Sequence, residues 1–354
     1  MTREYLTRLG DGSRVRQTKD QIAKDIEAGT NDAADRGKIP ALPEEDQERV
    51  LEILTDANKI VTVNPGEEVV MTNDVGTLKI QGDQGNSGVG LPLDRIQCIL
   101  VQERSYCTDT MELAHTDYSF KPIKPIIAME LQCYEQAEML TVIPLYYGAM
   151  PNLGLYYATD GPFPNPTELY MEGKITEGKE AQESAAERAT NDMVWVGKKF
   201  DEIGCEGLNF DTTAAAGDAD FYATLMAAEN LSKSANVSME MGMSGETVLG
   251  LHGEFEFHGK RLAGMYPHEQ VKVAEKAGVR IFGPAVNTKT SRSLGWNLAR
   301  AVTFVRECAE VSEIPIHVNM GMGVGGIPMF ETPPEDAVSR ASKAMVQVAH
   351  VDGV

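Results

Sequence analysis

The sequence predicts an α/β protein: a (β/α)8 TIM-type barrel, C-terminally incomplete, with a small helical N-terminal extension. Three observations lead there. From Thr141 onward short strand-like segments alternate with helical ones, several of those strands are apolar on one alternate face and polar on the other, and Ile314 to Val354 reads as strand, glycine-rich loop, helix and the start of a further strand. Strands alternating with helices produce a parallel sheet. A polar alternate face suits a barrel lumen near its mouth better than the uniformly apolar strands of an open doubly wound sheet, and about seven strand candidates approach the eight of a barrel. The expected division is an extension over 1–75 and the barrel over 76–354.

Taken in order, Thr18 with Gln21 fits a capping box for a short helix that carries Ile22 and Ile26 and is closed by Gly29. A second helix, Glu44 to Ala57, buries Val50, Leu51 and Leu54 at helical spacing. Leu78 to Gly82 reads as a strand running into GDQGNSGVG, which lacks both the GK[ST] ending and the GxGxxG spacing and is therefore a shaped loop rather than a nucleotide cradle. The later strands are TVIPL, EGLNFD, VSMEMG, VRIFG, IPIHVN and VDGV. Between them the expected helices begin at a Ser184/Glu187 capping box, run from about Asp218 to Leu231, open at Pro267 and close at Gly278, and centre on Trp296 to Cys308. In the last unit, Gly321, Gly323, Gly325 and Gly326 shape the loop. Thr332 with Glu335 fits a capping box with Pro333 as first helical residue, and Ala337, Val338, Ala341, Ala344, Met345 and Val348 make one apolar stripe. Val351 to Val354 then begins an inner strand with no continuation, which is expected of a chain that has been cut.

The 32 basic against 53 acidic residues give a net charge of −21, which argues against nucleic acid or anionic lipid as partner and favours a cation or a basic protein surface. Five scattered cysteines suggest no disulfide framework, and no segment has the length and apolarity of a signal or a membrane span, so a cytoplasmic protein is expected.

Asn209 and Asp211 alternate with Leu208 and Phe210; Ser238 and Glu240 alternate with Val237, Met239 and Met241; His317 and Asn319 continue the pattern. At the C-terminal mouth of a barrel these polar groups would converge, and two carboxylates suit a cationic substrate. The same residues can instead serve only to bond loop amides and fix loop shape. Tyr146, Tyr147, Tyr156 and Tyr157 flank GAMPNLGL and either hold an ammonium on their faces or pack in the core. Without an HxC, CxxC or HxxxH pairing no metal site is expected, and Ser244 in GMSGE lacks the spacing of a nucleophile elbow.

The blocks GDQGNSGVG, DTMELAHTDYSFKP, IPLYYGAMPNLGLYY, NFDTTAAAGDADFYATL, NLARAVTF and HVNMGMGVGGIPMFETPPEDAVSRASKAMV resemble the dimethylamine:corrinoid protein Co-methyltransferases of methylamine-using methanogenic archaea, over about Tyr5 to Val354. The resemblance implies transfer of a methyl group from dimethylamine to the Co(I) of a corrinoid carried by a cognate partner protein, with release of monomethylamine, and no cofactor bound directly by this chain. A homo-oligomer is expected. Family members carry pyrrolysine, encoded by an in-frame UAG, just after the segment matching VAHVDGV. The expectation is that the amber codon has been read as a stop and that the fragment itself is inactive. Pyrrolysine would supply an electrophilic imine that the common side chains lack, with Asp211 and Glu240 stabilising the cationic adduct and Asn209, His317, Asn319, Tyr146 and Tyr147 around the substrate. Two other functions fit the same pattern: a Schiff-base lyase or aldolase using Lys289 or Lys343, neither of which lies in an apolar run, and a non-catalytic acidic module for a basic partner.

Overall fold

The computed structural model describes residues 3–72, 108–112, 146–149, 152–205, 207–211, 213–214, 217–321, 323–330 and 333–354. They fall into two compact units, Met1–Met111 with Gly283–Val354, and Glu112–Phe282. The expected boundary at residue 75, the strand Leu78 to Gly82, the loop GDQGNSGVG and the strand TVIPL lie outside the described residues.

The first unit opens with an antiparallel pair, β1 (Glu4–Arg8) and β2 (Arg14–Thr18), which leads straight into α1 (Lys19–Gly37). The capping box forms as the sequence predicts: the Thr18 hydroxyl accepts the Gln21 N–H at 3.3 Å and the Gln21 side chain accepts the Thr18 N–H at 2.8 Å. Gly29, however, does not end the helix. It is buried where α1 crosses α7 (Leu294–Val311), and a Cβ built on it would collide with the Trp296 carbonyl oxygen. The residue is small so that two backbones can touch. The helix ends instead at Lys38, whose left-handed φ of 55° brings its N–H back to the Ala34 carbonyl. The following helix, α2 (Glu44–Thr55), buries Val50, Ile53 and Leu54, while Leu51 is only partly covered.

Ser293 caps α7 by accepting the Trp296 N–H at 3.2 Å, and its own hydroxyl donates to Asp25 at 2.6 Å. One turn on, Arg300 is 1% exposed, paired with Asp32 at 2.7 Å and lying over the rings of Trp296 and Phe304. A buried guanidinium tolerates such a place only with an anion and aromatic faces around it. The last helix, α8 (Glu335–Gln347), buries the predicted stripe of Ala337, Val338, Ala341, Ala344, Met345 and Val348. Its start differs from the expectation. Pro334 is the N-cap and Glu335 the first helical residue, because the residue before a proline is pushed to extended backbone and Pro333 therefore cannot open a helix. Glu335 is thus out of capping-box register.

The end of the chain is bonded on both sides. The Val318 N–H donates to the Gly353 carbonyl at 3.0 Å on one flank; on the other, the Val70 N–H donates to the Asp352 carbonyl at 3.1 Å and the Val354 N–H to the Val70 carbonyl at 2.9 Å. Gly353 forms isolated parallel bridges to His317 and to Val70 of β3 (Val69–Thr72), so VDGV lies between two neighbours as expected but contributes one bridging residue rather than a regular strand; β3 also pairs with β4 (Thr108–Glu112). IPIHVN contributes only the bridging residues Ile316 and His317 rather than a regular strand.

The second unit contains β5 (Tyr146–Ala149), α3 (Pro166–Met171), α4 (Ile175–Glu202), β6 (Gly207–Asp211), α5 (Asp218–Ser234), β7 (Ser238–Ser244), a short hairpin of β8 (Glu256–Phe257) and β9 (Lys260–Arg261), α6 (Pro267–Lys276) and β10 (Ile281–Pro284). The sheet runs β5-β6-β7-β10, with β5 parallel to β6 and β6 to β7. The parallel α/β sheet is the one the alternation predicts; among the described residues no closed barrel is present. Ser184 and Glu187 do not start a helix. The 28 residues of α4 run straight through them on a buried stripe that includes Ala181, Ala185, Ala189 and Val196, and the Ser184 hydroxyl donates to the Glu180 carbonyl of the preceding turn at 2.9 Å.

Candidate functional site

In β6 and β7 the pairing register sets Asn209 beside Glu240 and Asp211 beside Gly242. Neighbours across a parallel pair share a face, so the three polar residues stand together, with Leu208, Phe210, Met239 and Met241 on the opposite face. Both faces are covered: Asn209 is 5% and Glu240 6% exposed, while Asp211, at the C-terminal end of β6, is half-buried. Buried polar groups must find partners. The Asn209 Oδ1 accepts the Gly242 N–H at 3.1 Å, and Gly242 leaves it room, since a Cβ there would sit 2.8 Å from that oxygen. The period-two reading thus brings Asn209, Asp211 and Glu240 together.

Tyr146 and Tyr147 enter β5 opposite Gly207 and Leu208. His317 and Asn319 belong to the first unit. A Cβ added to Gly353 would lie 3.1 Å from the His317 ring, and the Asn319 carbonyl packs under Gly325. Ser244 is buried and spends its hydroxyl on Gln270 Oε1 at 2.6 Å, and Gln270 in turn donates to the Gly245 and Met265 carbonyls at 2.8 and 3.0 Å. Lys289 is exposed and Lys343 partly so, which leaves neither amine in the apolar, water-poor setting of a Schiff-base lysine. Among the described residues no group of three or more His, Cys, Asp or Glu is placed to hold a metal ion, and no helix is long and apolar enough to cross a membrane.

Two acids that sequence reasoning passed over lie in the first turn of α5. Asp218 accepts the N–H groups of His252 and Gly253 at 3.1 and 2.6 Å, and Asp220 accepts the Leu153 N–H at 2.9 Å. One helical turn therefore ties down two loops. In sequence they look like ordinary first-turn acids on a helix dipole; the available signal was their position inside an apolar run, DADFYATL. Burial, and after it the nearby Asp218, push the Asp220 carboxyl up to about 7 despite the Leu153 bond. Tyr157 is raised by burial and then by Asp220, and Tyr156 by burial and then by Asp192, to whose Oδ2 its hydroxyl donates at 3.1 Å.

The raised carboxyl has a stability consequence. Because the folded chain holds the Asp220 proton more tightly than the unfolded chain, its contribution is fully present below about pH 4 and is lost as pH rises towards 7. Asp220→Asn keeps an acceptor for Leu153 and removes the titration. The variant is expected to melt at a higher temperature than wild type at pH 8 and to show a flatter stability profile between about pH 4 and 7, by up to roughly 4 kcal/mol. Parallel profiles for the two proteins would refute the buried-acid assignment.

A parallel α/β sheet with Glu240 buried within one strand and a half-buried Asp211 at the C-terminal end of its neighbour places the chain among α/β proteins, whose ligand sites are commonly built on βα loops. Within that class the match is specific: the dimethylamine methyltransferase (Dimeth_PyL) family model covers residues 3–354. The chain belongs to the dimethylamine methyltransferase family, and methyl transfer in methylamine metabolism is the activity of that family.

Proposed function

We propose that this chain builds the amine site of a dimethylamine:corrinoid protein methyltransferase of methanogenic archaea, on a (β/α)8 barrel. The observation that carries the proposal is the buried Asn209–Glu240 pair with Asp211 at its C-terminal end, in a family whose substrate is an ammonium ion at neutral pH. The barrel is supported by the strand order: β5, β6, β7 and β10 follow one another across the sheet in chain order with no reversal, with only the small β8–β9 hairpin set aside, as a barrel requires and a doubly wound sheet does not.

Glu240 and Asp211 balance the positive charge on the amine nitrogen, Asn209 holds the strand ends in register, and Tyr146 and Tyr147 of the same sheet complete the substrate surroundings. In net chemistry the N–CH3 bond of dimethylammonium breaks with its electron pair left on nitrogen, giving monomethylamine, while the Co(I) of the partner's corrinoid supplies the pair for the new Co–CH3 bond. A pyrrolysine following Val354, as the resemblance implies, would supply an imine to which the amine nitrogen adds once it has passed a proton to the imine nitrogen, which leaves the positive charge on the adduct nitrogen. The chain's own residues hold the cation and exclude water, which strengthens both charge interactions. The reading includes a cytoplasmic homo-oligomer that binds no corrinoid directly and meets the one carried by the partner protein.

The test compares a polypeptide ending at Val354 with one continued through pyrrolysine, each with the corrinoid protein, a reductant and dimethylamine, and follows Co(I) becoming methyl-Co(III). The longer chain is expected to turn over and the shorter one to give no methyl-Co(III). Inactivity of the longer chain would overturn the proposed reaction, and turnover by the shorter one would overturn the role given to pyrrolysine.

A further inference from the structure

Thr213 follows Asp211 by two residues, which places their Cα atoms within about 7 Å. Its side chain is completely buried, yet among the described residues Oγ1 has no hydrogen-bond partner. The other buried serine and threonine hydroxyls described in this unit are committed: Thr224 to the Asp220 carbonyl and Ser244 to Gln270. Ser342 is also buried and unbonded, but it lies within α8, one side-chain rotation from the carbonyl of the preceding turn, where serine finds a partner at no cost to the fold. Thr213 has no helix to turn to. A buried hydroxyl left unbonded two residues beyond the strand end that carries Asp211 calls for a partner, and a ligand's N–H can be that partner.

We propose that the Thr213 hydroxyl is a specificity-determining part of the amine site, resting on the function proposed above. Dimethylammonium carries two N–H groups. A site that removes it from water must offer two acceptors, of which a carboxylate of Glu240 or Asp211 is one and Thr213 Oγ1 the second. Trimethylammonium has a single N–H and would bring a methyl group against the hydroxyl, leaving that oxygen buried and unpaired. Sites built to satisfy a polar group reject the analogue that cannot do so far more strongly than an apolar wall rejects an extra methyl.

Thr213→Val keeps the shape and removes the hydroxyl; Thr213→Ser restores it. In the active, pyrrolysine-containing protein with its corrinoid partner, Thr213→Val is expected to raise KM for dimethylamine about 10- to 100-fold with a smaller change in kcat. It should also tighten competitive inhibition by trimethylamine, whereas Thr213→Ser should keep KM within about threefold of wild type. A melting temperature for Thr213→Val equal to or above that of wild type is expected, because an unbonded hydroxyl is removed and no bond is lost. An unchanged KM in Thr213→Val overturns the inference, as does a fall in melting temperature that accompanies the KM change and marks the hydroxyl as structural. Both outcomes are read against an active wild-type protein and leave the proposed function standing; a wild-type protein that transfers no methyl from dimethylamine overturns the two together.

Discussion

Glu240→Gln is expected to slow methyl transfer from dimethylamine by about 10²-fold or more while leaving the fold intact. Glutamine has the same shape, so the side chain can still stand beside Asn209 in the register of β6 and β7; what disappears is the negative charge. At 6% exposure that charge is screened little by water or salt, and its interaction with a cationic amine is correspondingly strong. Asp211→Asn should act in the same direction and less strongly, because Asp211 is half-exposed at the strand end. The measurement is the single-turnover rate of methyl-Co(III) formation together with a thermal melt of each variant. Wild-type rates in both would remove these carboxylates from the site.

Gly29→Ala should lower stability by about 3 kcal/mol, the upper end of what overpacking usually costs. The added methyl points at the Trp296 carbonyl, a backbone atom that no rotamer change can move, so α1 and α7 must separate and the contacts of Ile22, Ile26 and Trp296 loosen with them. Denaturant unfolding gives the difference directly. A loss below about 0.5 kcal/mol, the range of an ordinary surface change, would refute the close backbone approach.

Gly29 also shows where sequence reading stops. The residue was recognisable as a glycine with a purpose, but helix closure and close approach need the same missing Cβ, and only the neighbouring helix distinguishes them. Ser184 with Glu187 failed for a related reason: a capping-box spacing recurs inside long helices, and nothing local tells an N-cap from a serine that bonds back to Glu180. The proline pair behaves by a local rule that was legible, since Pro334 alone suffices to keep Pro333 out of the helix. What alternation could reveal, it revealed: Asn209, Asp211 and Glu240 share a face because period two is a property of the strand itself. Asp218 and Asp220 could not be found that way. Their partners are backbone amides at His252, Gly253 and Leu153, distant in sequence and carrying no pattern.

The pairing of residues 1–111 with residues 283–354 within the first unit has a consequence for the order of events during synthesis. Arg8 meets Asp336 across 328 residues, and β3 is bonded by Asp352 and Val354, whereas the second unit is one continuous run. A ribosome therefore releases everything needed for the second unit before the partner surfaces of α1 and α2 have been made. Until α7 and α8 emerge, Ile22, Ile26, Val50 and Leu54 have no core to enter. The nascent chain thus passes through an interval with one half assembled and another waiting, apolar and uncovered, and that interval, more than the final stability, sets how much the young protein depends on chaperones.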